Sequence, residues 1–504
     1  MIAPLQVIIL LLMVAAFDSA PQRPPIHFSP FMVVLLVILA HGGLLIRGQR
    51  RFARLDHQLR NGRISTFEAA IAIQKTLRRL TAFNIMLLAA DLWLFGFGYL
   101  VKYHWNTRPV PMLPSVIWLI APVATWLAIW YLEYPLEVRI HNVAELGQTD
   151  EDLPTHALPS RMQYVDMQFR HGMSLLVVLL GFDLLTIPFT AMLQRLNLGN
   201  WSAIASLLPA MVLFLILPAI IVRYWRTTRL PSGPLRTRLE DLSRRKKVGF
   251  MDIRIWNTYY RIPNAAILGL LPWCRYFLLT DLLLERLEPQ QVEAVFAHEV
   301  GHGYHRHIWW YLLTFTAADL LGTGISLWAG NYWSLSDNTA MLLNFSIVGL
   351  LLVFGFSRVS RLCEHQADWF AARHIADRVG ATVLVPAAYA GEYLHPDNTV
   401  IPTPRVDHLG TITAMITQET PAQAGARIFS ESLTMLVGIA NRPRDRAGWM
   451  HPSMQNRVDL LAALAESPVK QKQFTRRIWL MRTAILIAAA TGAALTLWAA
   501  GIRG

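Results

Sequence analysis

Two histidines one helical turn apart, with an acid beside the first, are the residues of this chain best suited to chemistry. They lie in the run His298-Glu299-Val300-Gly301-His302. At about 100° per residue the two imidazoles share one helix face and can reach one metal ion, while Glu299 is rotated away and can sit beside a metal-bound water. The pattern indicates a candidate metal site with room for a metal-bound water beside Glu299. A pair of interface histidines is the alternative interpretation.

A catalytic zinc site needs a third protein ligand and an open position for water. The polar stretch 357–368 contains Glu364 and Asp368, which are four residues apart and share a helix face. Glu364 can then bind the metal, while Asp368 accepts the ring N–H of a liganding histidine and fixes its tautomer. A solvated acidic face is the alternative. His365 as a fourth ligand would close the position that water needs, and Cys363 points elsewhere on the helix.

The elements that must position these residues can be delimited. Pro289 suits the first turn of a helix, so the histidine helix should begin there. Upstream, alternating apolar residues predict a strand over Phe250 to Trp256 and a second extended stretch near Asn264 to Leu268. Downstream, His305 and His307 directly precede an apolar span, and we interpret them as polar residues at the level of lipid headgroups rather than as ligands.

Composition restricts the class of protein. Of 504 residues 54% are hydrophobic and 16% charged, whereas soluble domains carry roughly 25% charged residues. This excludes a disordered chain and argues against a soluble enzyme. The net charge of +13 does not by itself indicate nucleic acid, and we expect no nucleic-acid partner. Two cysteines, Cys274 and Cys363, exclude a disulfide scaffold.

The apolar residues fall into nine candidate membrane spans, since about 20 such residues cross a bilayer. The candidates are approximately Ile2 to Phe17, Phe31 to Ile46, Ala82 to Val101, Met112 to Leu132, Met173 to Leu193, Trp201 to Val222, Ile308 to Ala329, Met341 to Phe356 and Ile478 to Ile502. The first could instead be a signal peptide ending near Ser19-Ala20, although its start lacks positive charge. The sequence predicts a predominantly α-helical polytopic membrane protein with about nine spans.

Basic residues in the connections predict the orientation, because cytoplasmic flanks are enriched in Arg and Lys. Residues 47–79 and 223–247 are rich in both, whereas Gly330 to Ala340 has neither. We therefore expect the polar segments Arg223 to His307 and Ser357 to Arg477 to be cytoplasmic and the loop 330–340 to lie outside. The basic run Arg244 to Lys247 is either a lipid-headgroup contact or a solvated juxtamembrane face.

Four motifs follow one another in the order seen in a known family. They are Asn264-Ala265 within Pro263 to Gly269; Leu279-Thr280-Asp281 leading to Ala297 to His302; Ser360-Arg361 to Glu364 with Ala367-Asp368; and His451-Pro452 with Arg457. Over about Phe250 to Leu461 the chain resembles the membrane zinc metalloproteases that include the bacterial HtpX heat-shock proteases and the CAAX prenyl endopeptidases. The resemblance implies a small cytoplasmic α+β metalloprotease domain of the gluzincin type.

The resemblance also implies roles for individual residues. It makes His298, His302 and Glu364 the ligands of one Zn²⁺ ion and Glu299 the general base, with Asn264 on an edge strand that pairs with extended substrate and with His451 and Arg457 in the substrate cleft. We interpret His451 as a donor to the oxyanion on the attacked carbonyl and Arg457 as a residue that holds the substrate. The alternative for Arg457 is that it ties its helix to the helix around Glu364.

The expected organisation has five parts. They are a membrane region of about six spans (1–222), the first part of the catalytic domain with the histidine helix (223–307), a membrane hairpin (308–356), the second part of the catalytic domain (357–477) and a C-terminal span (478–504). Two features depart from the family. Six spans before the catalytic segment exceed what the HtpX-like branch has, and Val379 to Gly448 contains no recognised motif.

We expect an integral-membrane zinc endopeptidase, serving quality control of membrane proteins or processing of a membrane-anchored substrate. Its partners would be a peptide or membrane-protein substrate and the lipid bilayer, and its location the bacterial inner membrane. A signalling receptor with a metalloprotease-like transmitter is the alternative, which short outer loops disfavour. The membrane acids Asp91, Asp183 and Asp319 either line a hydrated chamber or make interhelical hydrogen bonds. A transporter would use the same acids but leaves the zinc-site spacing unexplained.

Overall fold

The structure, a computed structural model, describes most of the chain in two compact units. The described residues are 28–107, 110, 112–146, 158–197, 207–383, 420–439, 444–445 and 447–502, with 9, 10, 13, 14, 17 and 18. The units are Met1–Arg226 and Thr227–Gly504. The predicted first span lies mostly outside the described residues, as do residues 384–419 of the segment without motifs. The five-part layout, with its boundary after residue 222, stays a prediction.

The first unit is helical wherever it is described with regular structure. Its helices are α1 (Pro30–Arg60), α2 (Thr66–Ala89), α3 (Leu113–Leu146), α4 (Arg161–Gly172), α5 (Ser174–Arg195) and α6 (Leu207–Tyr224), with a helical turn Phe97–Tyr99 between the π-helical segments Ala90–Leu94 and Leu100–His104. Ser65 caps α2: its hydroxyl accepts from the Glu68 backbone N–H while Glu68 accepts from the Ser65 N–H.

Asp91 is part of a buried polar chain inside this unit. Its Oδ2 lies 2.9 Å from His41 Nε2, and His41 Nδ1 lies 2.7 Å from Thr125 Oγ1. The Thr125 hydroxyl donates to the Ala121 carbonyl, so it accepts from His41. Three apolar segments are thereby linked through polar groups that would be costly to bury without partners. Asp91 thus makes an interhelical hydrogen bond, one of the two roles expected of the membrane acids.

A four-stranded mixed sheet opens the second unit. Its strands are β1 (Thr228–Arg229), β2 (Asp252–Trp256), β3 (Ala265–Leu268) and β4 (Tyr276–Thr280), in the spatial order β1-β2-β4-β3. β2 and β4 are parallel, with Asp252 opposite Tyr276, and β3 is antiparallel to β4, with Ala265 opposite Leu279. The two extended stretches predicted from the sequence correspond to β2 and β3. β3 forms an edge of the sheet.

Nine helices accompany this sheet among the described residues of the unit. They are α7 (Pro234–Arg245), α8 (Asp281–Arg286), α9 (Pro289–Tyr304), α10 (His307–Trp333), α11 (Asp337–Leu350), α12 (Ser357–Val383), α13 (Pro421–Ile439), α14 (Met454–Glu466) and α15 (Pro468–Ile502). A π-helical segment, Leu351–Phe356, joins α11 to α12. α9 begins at Pro289 as predicted, and the side chain of Gln291 accepts from the Glu288 N–H at its start.

One apolar core joins the sheet to the helices that carry the candidate site. Phe277 of β4, Phe296 of α9 and Phe429 of α13 are all fully buried within it. The Phe277 and Phe296 rings lie 4.5 Å apart between centroids. The core also includes Ala371 of α12 and Leu461 of α14, so α9 is fixed between the sheet on one side and the later helices on the other.

Five described helices are long and apolar enough to cross a membrane. They include Pro30–Arg60, Leu113–Ile140, His307–Trp333, Thr339–Arg378 and Pro468–Ala499, and a sixth candidate is the pair Thr66–Leu94 and Phe97–His104, bent by 65°. These six overlap the second, third, fourth, seventh, eighth and ninth predicted spans. The sixth predicted span meets only a shorter apolar helix, Met211–Tyr224. A mostly helical protein with several candidate membrane spans is confirmed, and the total of nine stays a prediction.

The packing of α13 against α12 generates a stability prediction. A Cβ at Gly425 would lie 2.2 Å from the Ala372 carbonyl oxygen, whereas a Cβ at Gly438, on the same helix, would meet nothing within 4 Å. We expect Gly425→Ala to destabilise the protein by about 1–3 kcal/mol through overpacking. Gly438→Ala should be neutral or stabilising by up to about 1 kcal/mol, because alanine favours helix. Thermal unfolding in detergent measures both, and equal melting temperatures would contradict the described packing.

Candidate metal centre

The two histidines of α9 direct one nitrogen each toward a common point. His298 Nε2 and His302 Nε2 lie 3.1 Å apart, and the rings cross at 72°. Both side chains are largely buried, with 10% and 12% exposed. The one-turn spacing read from the sequence therefore does place two imidazole nitrogens side by side on one helix face.

Glu364 of α12 completes this group. Its Oε2 lies 3.8 Å from His298 Nε2 and its Oε1 3.6 Å from His302 Nε2. The three ligand atoms all lie within 4.8 Å of one another, and among the described residues these are the three that could together hold a metal ion. A buried carboxylate facing two imidazoles is the donor set of a catalytic zinc site. His365, considered as a fourth ligand, is outside this group.

Glu299 follows the first of these histidines on α9, as the sequence shows, and is itself buried. Burial raises the pKa of its carboxyl above the ordinary value and outweighs the charge interaction with His298, which acts in the opposite direction. A carboxylate whose pKa is moved toward neutrality is better matched to proton transfer in both directions. The burial of Glu299 and the direction of its pKa shift are compatible with a general base, and that role stays a prediction.

A buried ion pair lies behind His298. Its Nδ1 lies 2.9 Å from Asp368 Oδ1, and the Arg457 guanidinium of α14 binds the same carboxylate through Nε at 2.9 Å and Nη2 at 2.5 Å. Asp368 is 1% and Arg457 12% exposed. Burial acts to lower the pKa of His298, but contact with Asp368 outweighs it and raises that pKa. Asp368 thus sits where the sequence prediction puts it, on the far side of a candidate ligand.

Arg457 and His451 occupy different positions relative to the cleft. The forked contact of Arg457 with Asp368 links α14 to α12, which is the alternative considered for this residue in the sequence. His451 is 64% exposed, and its Nδ1 lies 3.0 Å from Glu364 Oε2. An exposed imidazole at the rim of the group can meet a substrate, whereas the guanidinium of Arg457 is already engaged. The substrate roles of both residues stay predictions.

Asn264 lies directly before the edge strand β3. Its backbone N–H donates to the Thr280 hydroxyl at 2.9 Å, and its carbonyl accepts from the Thr280 N–H at 3.0 Å. The backbone at this point is therefore tied to the end of β4. The predicted pairing of extended substrate beside Asn264 is not tested by these contacts.

The expectation for His307 is wrong. Instead of facing lipid headgroups, its side chain is fully buried, and its Nδ1 lies 2.9 Å from His302 Nδ1. In one continuous helix a residue five positions after His302 would be rotated by about 140° and point away. The helix is interrupted at Arg306, whose φ of 56° ends α9 and starts α10 in a new direction. The spacing of the histidines can be read from the sequence, but the sequence does not strongly indicate that the helix is interrupted at Arg306.

A second buried acid anchors the start of α9. Glu293 Oε1 accepts from His374 Nε2 of α12 at 3.0 Å, and Glu293 Oε2 pairs with Arg378. Glu293 is buried, whereas nearly half of Arg378 is exposed. This cluster fixes α9 to α12 on the side away from the metal ligands. From the sequence, no chemical role is assigned to Glu293.

Comparison with known proteins identifies this segment. The model of peptidase family M48 matches residues 231–465. A probable CAAX prenyl protease 1 of Schizosaccharomyces pombe is 29% identical over 187 residues, which are 32% of this chain and 37% of that protein. A protease HtpX homolog of Aeropyrum pernix is 28% identical over 211 residues, which are 39% of this chain and 65% of that protein.

A solved structure also resembles the chain. It is the crystal structure of Ste24p from S. mikatae, with a TM-score of 0.41 and 14% sequence identity, covering 91% of this chain and 98% of that one. The chain spans less than two thirds of the length of the curated relatives it matches. The matches to both a CAAX prenyl protease and an HtpX homolog confirm the resemblance predicted from the motifs. Residues 231–465 are therefore similar to peptidase family M48.

Proposed function

We propose that the protein is an integral-membrane zinc endopeptidase. The observation that carries the proposal is the convergence of His298, His302 and Glu364, with buried Glu299 adjacent to the first ligand. Two imidazoles and one carboxylate leave a tetrahedral zinc ion one open position, which is what a hydrolytic site requires. The family match supports the same activity, and no relative reported above supports the signalling receptor.

The residues divide the chemistry among them. A zinc ion on the three ligands would lower the pKa of bound water toward about 7 and polarise the scissile carbonyl. Glu299 takes the proton of the attacking water and returns it to the leaving amine. His451, exposed at the rim beside Glu364, donates a hydrogen bond to the oxyanion that forms on the attacked carbonyl. Peptide hydrolysis then proceeds without a covalent enzyme intermediate.

Two further residues are assigned by the same proposal. An extended substrate adds as a strand beside Asn264 and β3, where backbone hydrogen bonds give affinity with little sequence preference. Arg457 acts through Asp368 rather than on the substrate, because both of its contacting nitrogens already bind that carboxylate. Membrane-protein quality control and processing of a membrane-anchored protein are both compatible with such a cleft.

We place the site on the cytoplasmic side of a bacterial inner membrane. The basic connections 47–79 and 223–247 support this orientation, and the loop after α10 carries no Arg or Lys. The aromatic residues Trp328, Tyr332 and Trp333 contact one another at the end of α10, one pair stacked and two pairs edge to face. Such a group of aromatic residues is typical of a membrane interface.

The base assignment predicts a separation of metal binding from turnover. Glu299→Gln removes the carboxylate and keeps the ligands, so the variant should retain one zinc ion per chain and lose about 10²–10⁴-fold in casein cleavage. Purified wild-type protein should cleave casein and lose that activity with a chelator. Glu466→Gln, at an exposed position at the end of α14, is the control and should match the wild type. A Glu299→Gln protein with wild-type turnover would rule out the mechanism.

The ion pair behind His298 predicts an effect on metal affinity. Asp368→Ala should weaken zinc binding about 10- to 100-fold, because it removes the acceptor that orients the ligand. Arg457→Ala should change zinc affinity in the same direction with KM little altered. Asp377→Ala, an exposed acid on the same helix, is the control and should bind zinc normally. If Arg457→Ala instead raised KM at unchanged zinc affinity, Arg457 would be a substrate residue.

The orientation predicts a labelling pattern. Ser334 and Ser232 are both exposed, and Cys274 and Cys363 are buried, so single cysteines can be introduced in a background lacking the native pair. Ser334→Cys should react with an impermeant maleimide applied to intact cells, and Ser232→Cys only after the cells are opened. The reverse pattern would place the metal centre outside the cytoplasm.

A further inference from the structure

His307 makes the one buried polar contact that the described residues provide to the far side of His302. The distance between the two Nδ1 atoms is 2.9 Å, and the ring centroids are 4.8 Å apart. His298 has Asp368 in the corresponding position. The two candidate ligands on α9 are therefore supported by different chemistry: a charged acceptor behind one and a neutral imidazole behind the other.

The direction of the hydrogen bonds follows from which nitrogen faces the metal. His302 Nε2 points toward His298 and Glu364. If His302 binds a metal ion between these residues, the lone pair of Nε2 makes the bond and the ring proton is on Nδ1. Nδ1–H must then donate to His307 Nδ1, which leaves the proton of His307 on Nε2. That nitrogen lies 3.1 Å from the Gln366 Oε1 of α12, an acceptor. Every group along this path has a partner of the required polarity.

The path ends at a cation on the last membrane helix. Arg482 Nη2 of α15 lies 3.5 Å from the same Gln366 Oε1 and 3.4 Å from the His305 carbonyl oxygen, at the outer limit for a hydrogen bond. The Arg482 guanidinium also lies over the Trp310 ring at 4.8 Å. Because Arg482 donates to Gln366 Oε1, it favours the side-chain orientation of Gln366 in which this oxygen also faces His307.

We propose that His307 is a positioning residue for the metal centre: it holds His302 in its Nδ1–H tautomer and orients the ring, supported through Gln366 by Arg482. This inference rests on the proposed zinc-peptidase function and assigns a residue that the motifs do not include. Partners on the far side of a ligand histidine raise its basicity and limit its rotation, and their loss weakens metal affinity about 10- to 100-fold. The break at Arg306 is what makes the contact possible, because it turns His307 back onto His302.

The test compares variants at His307 with a matched variant at His305. His307→Phe keeps a ring of similar size and removes the acceptor, and His307→Asn keeps an acceptor close to the position of Nδ1. His305 is a neighbouring, partly buried histidine whose ring stacks on His307 at 5.6 Å; His305→Phe therefore controls for loss of an imidazole at this surface. Zinc affinity is measured on purified full-length protein by competition with a chelator, and the Co²⁺ form gives an absorption spectrum of the ligand field.

We expect His307→Phe to bind zinc about 10- to 100-fold more weakly than the wild type and to show a shifted Co²⁺ spectrum. His307→Asn should recover most of the lost zinc affinity. His305→Phe should bind zinc as the wild type does. Melting temperatures without metal should be similar for the three, since the effect concerns the ligand. Should His307→Phe fail to fold, His307→Leu and His307→Asn provide the same comparison.

Wild-type zinc affinity and an unchanged spectrum in His307→Phe would overturn the inference, as would an equal loss in His305→Phe or no recovery in a folded His307→Asn protein. These outcomes differ from failure of the proposed function itself, in which the wild-type protein would bind no zinc or cleave no peptide.

Discussion

The close approach of α9 to α12 is the constraint on which the candidate site depends. At the crossing a Cβ on Gly301 would lie 3.2 Å from the Cα of Ala367, so a larger residue between the two histidines would require neighbouring atoms to move by a few tenths of an ångström. Ala367 lies between Glu364 and Asp368 in the sequence. This one contact therefore sets both the distance from the histidine nitrogens to the third ligand and the distance from His298 to its acceptor. The aromatic core beneath α9 and the Glu293 cluster at its start hold the same crossing from other sides.

Burial of charge explains the arrangement around that crossing. Carboxylates and imidazoles removed from water are costly unless each has a partner. Asp368 has Arg457 as its partner. Burial lowers the pKa of His302 to about 3, so its imidazole is neutral at neutral pH, as a metal ligand must be. Glu364, facing two imidazoles and His451, is another buried anion. A divalent cation at this point would compensate it, which is a physical reason for the site to bind metal.

Short-range residue patterns predicted the histidine helix and its start at Pro289. They also predicted the strands beside it and most of the apolar helices, because each of these elements depends on the spacing of residues close together in the chain. The pairing of Glu364 and Asp368 could also be read from spacing on one helix. His307 could not, because its position depends on a left-handed residue at Arg306 that breaks a helix the local pattern would continue. The contact of Arg457 with Asp368 could not be read from local spacing either, because the two residues are distant in the chain and only the tertiary structure brings them together.

The proposed zinc site consists of two imidazoles and one carboxylate. It has no sulfur ligand, although Cys363 directly precedes Glu364 in the sequence. X-ray absorption at the zinc edge of the purified, zinc-loaded protein tests it most directly. For the proposed ligands we expect a four-coordinate first shell of nitrogen and oxygen at roughly 2.0–2.2 Å, with scattering from two imidazole rings. A sulfur shell near about 2.3 Å, or scattering from three or four imidazoles, would contradict it.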